Sequence, residues 1–143
     1  MSANSRRPAS YQEEYRVPFG ETDAAGVVFY PNYYRWFDRM THELFRASGH
    51  PLDGHLKRGE APVLVESSCC FLTSVRYDDV IVLTASVGEV TNRSIRIAHT
   101  VSRDGEVTTQ GLETRVWIQL QGDESKAVPI PDSIRRSLSP QRL

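Results

Sequence analysis

Asp23 is the residue of this chain whose position best suits chemistry. It stands in a turn of small residues, a few positions before a segment that opens with Pro31. The turn contains Gly26, which lets backbone approach a ligand closely, and the proline marks a helix start, where unpaired N–H groups favour developing negative charge. A carboxylate and N–H donors that face one carbonyl are suited to acyl-group hydrolysis. An aspartate at such a place also commonly does no more than stabilise the turn, so the residues alone leave both interpretations open.

The composition excludes several classes of function. The chain has 143 residues, a length typical of one domain, with 39% hydrophobic and 24% charged residues as in ordinary globular proteins. Its net charge of −1 gives no electrostatic case for nucleic acid or an anionic membrane as partner, and no apolar run approaches the roughly 20 residues of a membrane span. Residues 1–10 are polar, which predicts a disordered lead-in rather than a signal peptide, and residues 11–143 are expected to form the domain.

Other reactive groups form no recognisable site. The two cysteines are neighbours, Cys69 and Cys70. Adjacent side chains of a strand point to opposite faces, so both are expected to be free thiols in a reducing, cytoplasmic compartment. His50, Asp53 and His55 gather possible metal ligands in one loop, but without a spacing typical of zinc sites, and we expect no metal. No G-x-S-x-G motif indicates a serine hydrolase.

The elements that must position Asp23 begin with a strand and a long helix. Apolar residues alternate with polar ones over 11–19, which predicts a strand. A helix is predicted over 31–48, because proline suits its first position and Gly49 suits the stop. The helix carries aromatic residues on several sides, so we expect other elements to wrap it.

After a loop over 51–62 the chain contains only strand-like segments, separated by turn residues. Prolines in the tail argue against any further strand, and residues 134–138 fit a single helical turn. This order predicts an α+β domain, one antiparallel sheet of about five strands with a buried helix. A second copy of the chain would commonly cover the edges and the far face of such a sheet. The predicted later strands are 63–75, 80–90, 94–103 and 107–121.

The segment FGETDAAGVVFYPNYYRWFD, at 19–38, resembles the signature of the 4-hydroxybenzoyl-CoA thioesterase family of hotdog-fold proteins. Residues 77–80 are similar to the family's turn between two central strands, residues 93–95 to one of its strand starts, and His99 stands where such sequences often carry histidine. The resemblance covers most of the chain. It implies a hotdog fold, with a long central helix wrapped by a curled antiparallel sheet. It also implies dimers, often paired into homotetramers, with active sites at the dimer interface.

The resemblance further implies an acyl-CoA thioesterase, which hydrolyses a thioester to a free carboxylic acid and CoA without a metal or redox cofactor. Coenzyme A is then part of the substrate. Asp23 would attack the thioester carbonyl or act as the base for a water. The backbone N–H of Tyr30 would polarise the thioester oxygen, and Gly26 would let the chain pass close to the substrate. The side chain of Tyr30 could also pack as a staple at the helix entry.

Contacts with CoA are expected from the turn that holds Thr91, Asn92, Arg93 and Ser94. These residues could bind the phosphates or the pantetheine. The alternative is an exposed arginine at a strand end that binds no ligand. Further arginines could contribute, and the sequence does not say which face the CoA would take. They are Arg76, Arg96, Arg103 and Arg115.

Asp38 and His42 lie four residues apart on one helix face. Asp38 is a candidate for substrate binding, because it could accept a hydrogen bond from a ring hydroxyl. Otherwise the two residues form a solvated pair or contact a neighbouring subunit. His99, on an apolar strand face, is expected to be a hydrogen-bonded residue of the core or of an interface.

Several rivals to an aryl-CoA thioesterase stay open. The similarity is closest to aryl-CoA enzymes, which favours hydroxybenzoyl- or benzoyl-type acyl groups, but a short-chain acyl-CoA or an acyl carrier protein could be the substrate. A hotdog dehydratase or hydratase would typically pair a histidine with a carboxylate, and the Asp23 segment has no histidine. A non-catalytic acyl-CoA-binding protein would not need Asp23 and Gly26. The aromatic residues near the helix start would equally fill the core.

Overall fold

A computed structural model describes residues 9–139 of the protein. Residues 1–8 of the predicted disordered lead-in lie outside this range, whereas Ser10, also assigned to the lead-in, is part of the first strand. The elements in chain order are β1 (Ser10–Arg16), a 3₁₀ turn (Phe19–Glu21), α1 (Pro31–Ala47), α2 (Leu52–Lys57), β2 (Glu60–Phe71), β3 (Val80–Val90), β4 (Ser94–Arg103), β5 (Glu106–Gln121), β6 (Glu124–Ala127) and α3 (Asp132–Leu138).

Antiparallel strands form one sheet in the order β1-β3-β4-β5-β2, and β6 pairs with the end of β5. α1 contacts β3 and also both edge strands, β1 and β2, so the sheet curls around the helix. The helix buries a row of large side chains against the apolar inner faces of β3 and β4. The predicted α+β arrangement, a long helix wrapped by an antiparallel sheet, is confirmed. The row comprises Tyr33, Trp36, Phe37, Met40, Leu44 and Phe45.

Residues typical of helix ends and turns mark the helix and hairpin boundaries that the sequence predicts correctly. α1 begins at the proline and ends within one residue of the predicted stop, and Gly49 follows it with φ +88°. This is the left-handed conformation that glycine adopts at little cost after a helix. Asp104 and Gly105 both have positive φ, 53° and 81°, as a two-residue hairpin between β4 and β5 requires.

Two predicted strands extend too far. The first stops at Arg16 rather than 19, and Phe19, the last apolar residue of the predicted strand, lies in the 3₁₀ turn with 76% of its surface exposed. β2 ends at Phe71 rather than 75, and its register shifts between Leu64 and Glu66. Such a bulge inserts one residue and moves the following side chains to the other face. The alternating residues over 63–75, which predicted a single strand, therefore do not lie on one continuous face.

Two short elements escape the sequence patterns. α2 occupies the predicted loop and contains Gly54, a poor helix former. It is held by packing of the buried His55 ring against Trp117, with 4.9 Å between ring centroids. β6, in the tail where no strand was expected, has only exposed side chains, so it shows no hydrophobic alternation. The predicted helical turn at 134–138 is part of α3, and that prediction is confirmed.

The inner face of β5 is partly polar. Thr109, Glu113 and Arg115 are buried there between the sheet and α1. Gly111, on the same face, lies directly beneath the ring of Phe37, and a Cβ at this position would overlap the ring. The missing side chain therefore lets α1 approach the sheet closely.

Candidate active site

Asp23 lies at the tip of a tight hairpin between the 3₁₀ turn and α1. Thr22 and Val28 form an antiparallel bridge. Asp23 N–H donates to Val27 O at 2.8 Å, and Gly26 N–H, with φ +79°, donates to Asp23 O at 2.9 Å. Oδ1 of the exposed carboxylate accepts the N–H of Ala25 at 2.8 Å. Asp23 therefore does stabilise its own turn, but with one oxygen only. Within residues 9–139 its second oxygen, Oδ2, has no hydrogen-bond donor.

Tyr30 occupies the position immediately before α1. The neighbouring Phe29 N–H donates to Glu21 O at 2.9 Å, whereas no acceptor among the described residues takes the N–H of Tyr30. The Tyr30 side chain is 61% exposed, and its ring contacts Phe29. This exposure does not favour the alternative in which the Tyr30 side chain packs as a staple at the helix entry. The free N–H at the positive end of a helix is suited to an anionic oxygen.

An open cavity of about 310 Å³ lies beside this helix start. One wall is the segment from Val27 to Tyr33, and the other is the segment 71–75 that follows β2. Val28 N–H donates to Val75 O at 2.8 Å, which fixes the two walls together. The lining is aromatic and aliphatic except for Thr73 and Ser74. It consists of Val27, Val28, Tyr30, Tyr33, Phe71, Leu72, Thr73, Ser74 and Val75.

The aromatic floor of the cavity is made by Tyr33 and Phe71. Tyr33 is buried, and its ring meets that of Phe71 edge to face at 5.2 Å. Arg103 stabilises the wall formed by residues 71–75, because its guanidinium donates to Ser74 O at 3.0 Å and to the Asp79 carboxylate at 2.6 Å. A flat apolar group fits such a lining. Asp23 does not line the cavity itself, but its hairpin continues into the wall at Val27.

A second group of charged residues lies deeper, between α1 and β5. Glu113 is 1% exposed and binds His99 Nε2 at 3.0 Å and Arg115 at 2.9 Å, and it also accepts the hydroxyl of Thr41. Burial raises the pKa of Glu113, but the hydrogen bonds from His99 and Arg115 outweigh it and lower the pKa to about 2. His99 is thus the hydrogen-bonded core residue that the sequence predicts. We call Thr41, His99, Glu113 and Arg115 the buried cluster.

Asp38 joins the buried cluster to the surface. Its carboxylate, 56% exposed, accepts a hydrogen bond from Arg115 at 2.8 Å and lies 3.6 Å from His42 Nε2. These two partners, His42 and Arg115, hold the pKa of Asp38 well below its ordinary value, and the Arg115 contact is the shorter. Asp38 therefore stays an ionised acceptor. Glu113 is not among the residues predicted from the sequence. Its charge at an inward position of an otherwise apolar strand is the signal that could have identified it.

The turn expected to bind CoA lies far from Asp23 in the same chain. Thr91 Oγ1 bonds Ser94 Oγ at 2.6 Å, and Arg93 is exposed with its carbonyl accepting Trp117 N–H at 2.8 Å. β3 separates this turn from the segment paired with the Asp23 hairpin, and its 11 residues span roughly 33 Å. One chain does not bring the two groups together. Of the further arginines, Arg115 is only 3% exposed and cannot reach a phosphate at the surface.

The two histidines of the 50–55 segment lie within hydrogen-bond distance of other residues of the chain. His55 Nε2 lies 2.9 Å from His50 O, and His50 Nε2 lies 2.9 Å from Ser137 Oγ. Over residues 9–139, no three His, Cys, Asp or Glu side chains are arranged to hold a metal ion.

Cys69 and Cys70 are free, and burial raises the pKa of the Cys69 thiol to about 11. No helix in the described range is long and apolar enough to cross a membrane.

Residues 17–138 match the Thioesterase-like superfamily. The chain is 30% identical over 124 residues to the 4-hydroxybenzoyl-CoA thioesterase of Pseudomonas sp. strain CBS-3, covering 81% of this chain and 88% of that protein. A solved gentisyl-coenzyme A thioesterase superposes with a TM-score of 0.82 at 32% identity, covering 90% of this chain and 100% of that one. An Asp-to-Asn variant of 4-hydroxybenzoyl-CoA thioesterase, bound to 4-hydroxybenzoyl-CoA, superposes with a TM-score of 0.84 at 27% identity, covering 92% and 99%.

Proposed function

The chain belongs to the thioesterase-like superfamily and has the hotdog fold, and from that premise we propose that it hydrolyses an acyl-CoA thioester to a free carboxylic acid and CoA. One observation carries the proposal. The hairpin that leaves one oxygen of Asp23 without a donor leads, seven residues later, to the unpaired N–H of Tyr30 beside an apolar cavity. A carboxylate and an oxyanion donor then flank the place where a thioester carbonyl would lie.

The chemistry follows from these two groups. The Tyr30 N–H and the start of α1 would bind the carbonyl oxygen as it gains negative charge. Asp23 would either attack the carbonyl carbon, forming an anhydride that water then hydrolyses, or remove a proton from an attacking water. In both routes the C–S bond breaks, CoA leaves as its thiol after protonation, and the acyl carbon gains one oxygen from water. Neither route needs a metal or a further cofactor.

We propose an aryl acyl group, of the hydroxybenzoyl or benzoyl type. The Tyr33–Phe71 pair offers aromatic edges and faces to a flat ring, and Thr73 and Ser74 offer hydroxyls. Two relatives named above act on 4-hydroxybenzoyl-CoA and gentisyl-CoA. Asp38 remains a candidate for a ring hydroxyl. Hydrolysis of a panel of aryl- and alkyl-CoA thioesters, and of the same acyl groups on a carrier protein, separates this proposal from its short-chain and carrier-protein alternatives.

We further propose that the enzyme acts as a cytoplasmic homo-oligomer, a dimer or a pair of dimers. The distance between the Thr91–Ser94 turn and Asp23 within one chain supports it, because a second copy could supply that turn to the CoA bound at the first. Aromatic and aliphatic side chains also remain exposed around the cavity, as partner surfaces commonly are. They include Phe19, Phe29, Leu72 and Tyr77.

The test of the catalytic assignment is Asp23→Asn. We expect kcat on the preferred aryl-CoA to fall on the order of 10³-fold, because asparagine neither attacks nor accepts a proton. Asp104→Asn is the matched control. It changes another exposed turn aspartate, and asparagine tolerates its positive φ of 53°, so wild-type turnover is expected. Near-normal turnover by a folded Asp23→Asn variant would contradict the mechanism.

A further inference from the structure

The carboxylate of Glu21 is held by two donors from different elements. The hydroxyl of Tyr15, on β1, donates to Oε1, and the indole N–H of Trp36, on α1, donates to Oε2 at 2.5 Å. The two donor rings also pack edge to face, 5.4 Å apart. Glu21 thereby links the strand before the Asp23 hairpin to the helix after it.

The backbone of the same residue holds the far end of the hairpin. Glu21 O accepts the N–H of Phe29 at 2.9 Å and the side-chain amide of the buried Asn32 at 2.9 Å. Phe29 immediately precedes Tyr30, and Glu21 lies two residues before Asp23. One residue therefore fixes both ends of the segment that carries the carboxylate and the oxyanion donor.

We propose that Glu21 is a positioning residue for hydrolysis, which sets the separation between the Asp23 carboxylate and the Tyr30 N–H. The inference rests on the proposed function, in which those two groups meet one carbonyl. The two donors bind different oxygens of Glu21, and a carboxylate provides both. A glutamine provides one oxygen and places an N–H₂ against the second donor. The hydrogen bonds from Tyr15 and Trp36 to the Glu21 carboxylate are together called the clamp. Glu21→Gln keeps the size of the side chain and breaks one of these two bonds.

Glu13 offers a matched control on the same strand. Its carboxylate is also bound by a tyrosine of β1 and by a residue of α1, since Tyr11 OH donates to it at 3.0 Å and Arg39 lies 2.5 Å away. In the described part of the chain, no residue of the Asp23 hairpin donates a hydrogen bond to Glu13. Glu13→Gln thus loosens the same strand–helix junction without releasing the hairpin.

The experiment compares kcat and KM of the wild type, Glu21→Gln and Glu13→Gln, with hydrogen–deuterium exchange of residues 22–30. For Glu21→Gln we expect kcat to fall about 10- to 100-fold with KM within about threefold, because a misplaced reacting group costs rate rather than binding. Exchange in 22–30 should become faster. Glu13→Gln should keep the wild-type kcat and the wild-type exchange in 22–30. Tyr15→Phe, which removes one donor and keeps the ring, should give a smaller fall in kcat and tests the clamp if Glu21→Gln does not fold.

The outcomes separate the two proposals. Wild-type kcat in Glu21→Gln, or an equal loss in Glu13→Gln, overturns the positioning role. A fall in kcat with unchanged exchange in 22–30 also overturns it, since the hairpin would not have moved. If the wild type hydrolyses no thioester while exchange in 22–30 rises only in Glu21→Gln, the proposed function fails and the clamp is supported.

Discussion

The exposed hairpin of Asp23 and the buried cluster around Glu113 use the same functional group in opposite ways. Both depend on a carboxylate. Glu113 is covered by protein, and both of its oxygens are bonded to His99, Thr41 or Arg115. Asp23 is exposed and uses one oxygen for its own turn. A strongly lowered pKa marks the carboxylate that holds the helix to the sheet, whereas the carboxylate with one oxygen free of its turn is the one that we propose for the reaction.

The largest effect expected in the buried cluster comes from Arg115→Met. It leaves Glu113 buried without its cation, which typically costs about 3–5 kcal/mol in the free energy of unfolding. Urea denaturation would measure it. Arg16→Met is the control, because Arg16 and Asp78 form an exposed pair and should contribute at most about 1 kcal/mol. If both variants lose the same stability, the contrast between buried and exposed charges is wrong.

The largest effect expected at the hairpin beyond Asp23 comes from the backbone of Tyr30. Its φ of −55° suits proline, so Tyr30→Pro removes the N–H and the ring with little change in backbone conformation. We expect kcat to fall roughly 10²- to 10³-fold, the usual cost of losing one oxyanion donor. Tyr30→Ala keeps the N–H and removes the ring, and it should raise KM more than it lowers kcat. Equal effects of the two variants would show that the side chain, not the N–H, matters.

A smaller effect is expected on the pH dependence of stability, and it comes from Glu113. The folded-state pKa of Glu113, about 2, lies below its ordinary value of 4.5. Its stabilisation is thus complete above the ordinary value and is lost as pH falls from about 5 towards 2. The pKa of Asp38 is also lowered in the folded state. Glu113→Gln isolates the contribution of Glu113, because without this carboxylate the fall of stability at low pH (the acid limb of the stability curve) should be shallower. Denaturant unfolding at stepwise lower pH measures it. An unchanged acid limb would contradict the assignment, and Glu124→Gln, at an exposed position of β6, should leave it unchanged.

Local signals in the sequence predict much of the fold and the chemical part of the site. Pro31 and Gly49 bound α1, and Asp104-Gly105 predicts its hairpin, because each residue acts through its own backbone. Asp23 and the helix start are close in sequence, so their proximity needs no knowledge of the sheet. The roles implied by the family resemblance stay predictions, both the chemical roles of Asp23, Gly26 and Tyr30 and the substrate-binding roles of the other residues. These others are Asp38, Thr91, Asn92, Arg93 and Ser94.

What the sequence does not predict depends on contacts between distant segments. The bulge in β2 follows from its pairing with β5 rather than from its own composition. The buried cluster requires the register that sets Ile97 opposite Glu113 and Ala98 opposite Leu112. The cavity needs the 71–75 segment to pair with the hairpin, which no local pattern encodes. No local pattern distinguishes Glu21 from other charged residues, because its two donors, Tyr15 and Trp36, lie on two other elements.

The bare backbone at Gly111 lets an aromatic ring cover part of the buried cluster. The ring of Phe37 lies where a Cβ would be, and it stacks on His99 with 4.6 Å between centroids. Hydrogen bonds and ion pairs strengthen as the local permittivity falls. A side chain at Gly111 would displace the ring of Phe37 from His99, so the missing methyl group helps to exclude solvent from Glu113 and Arg115 and to keep their attraction strong.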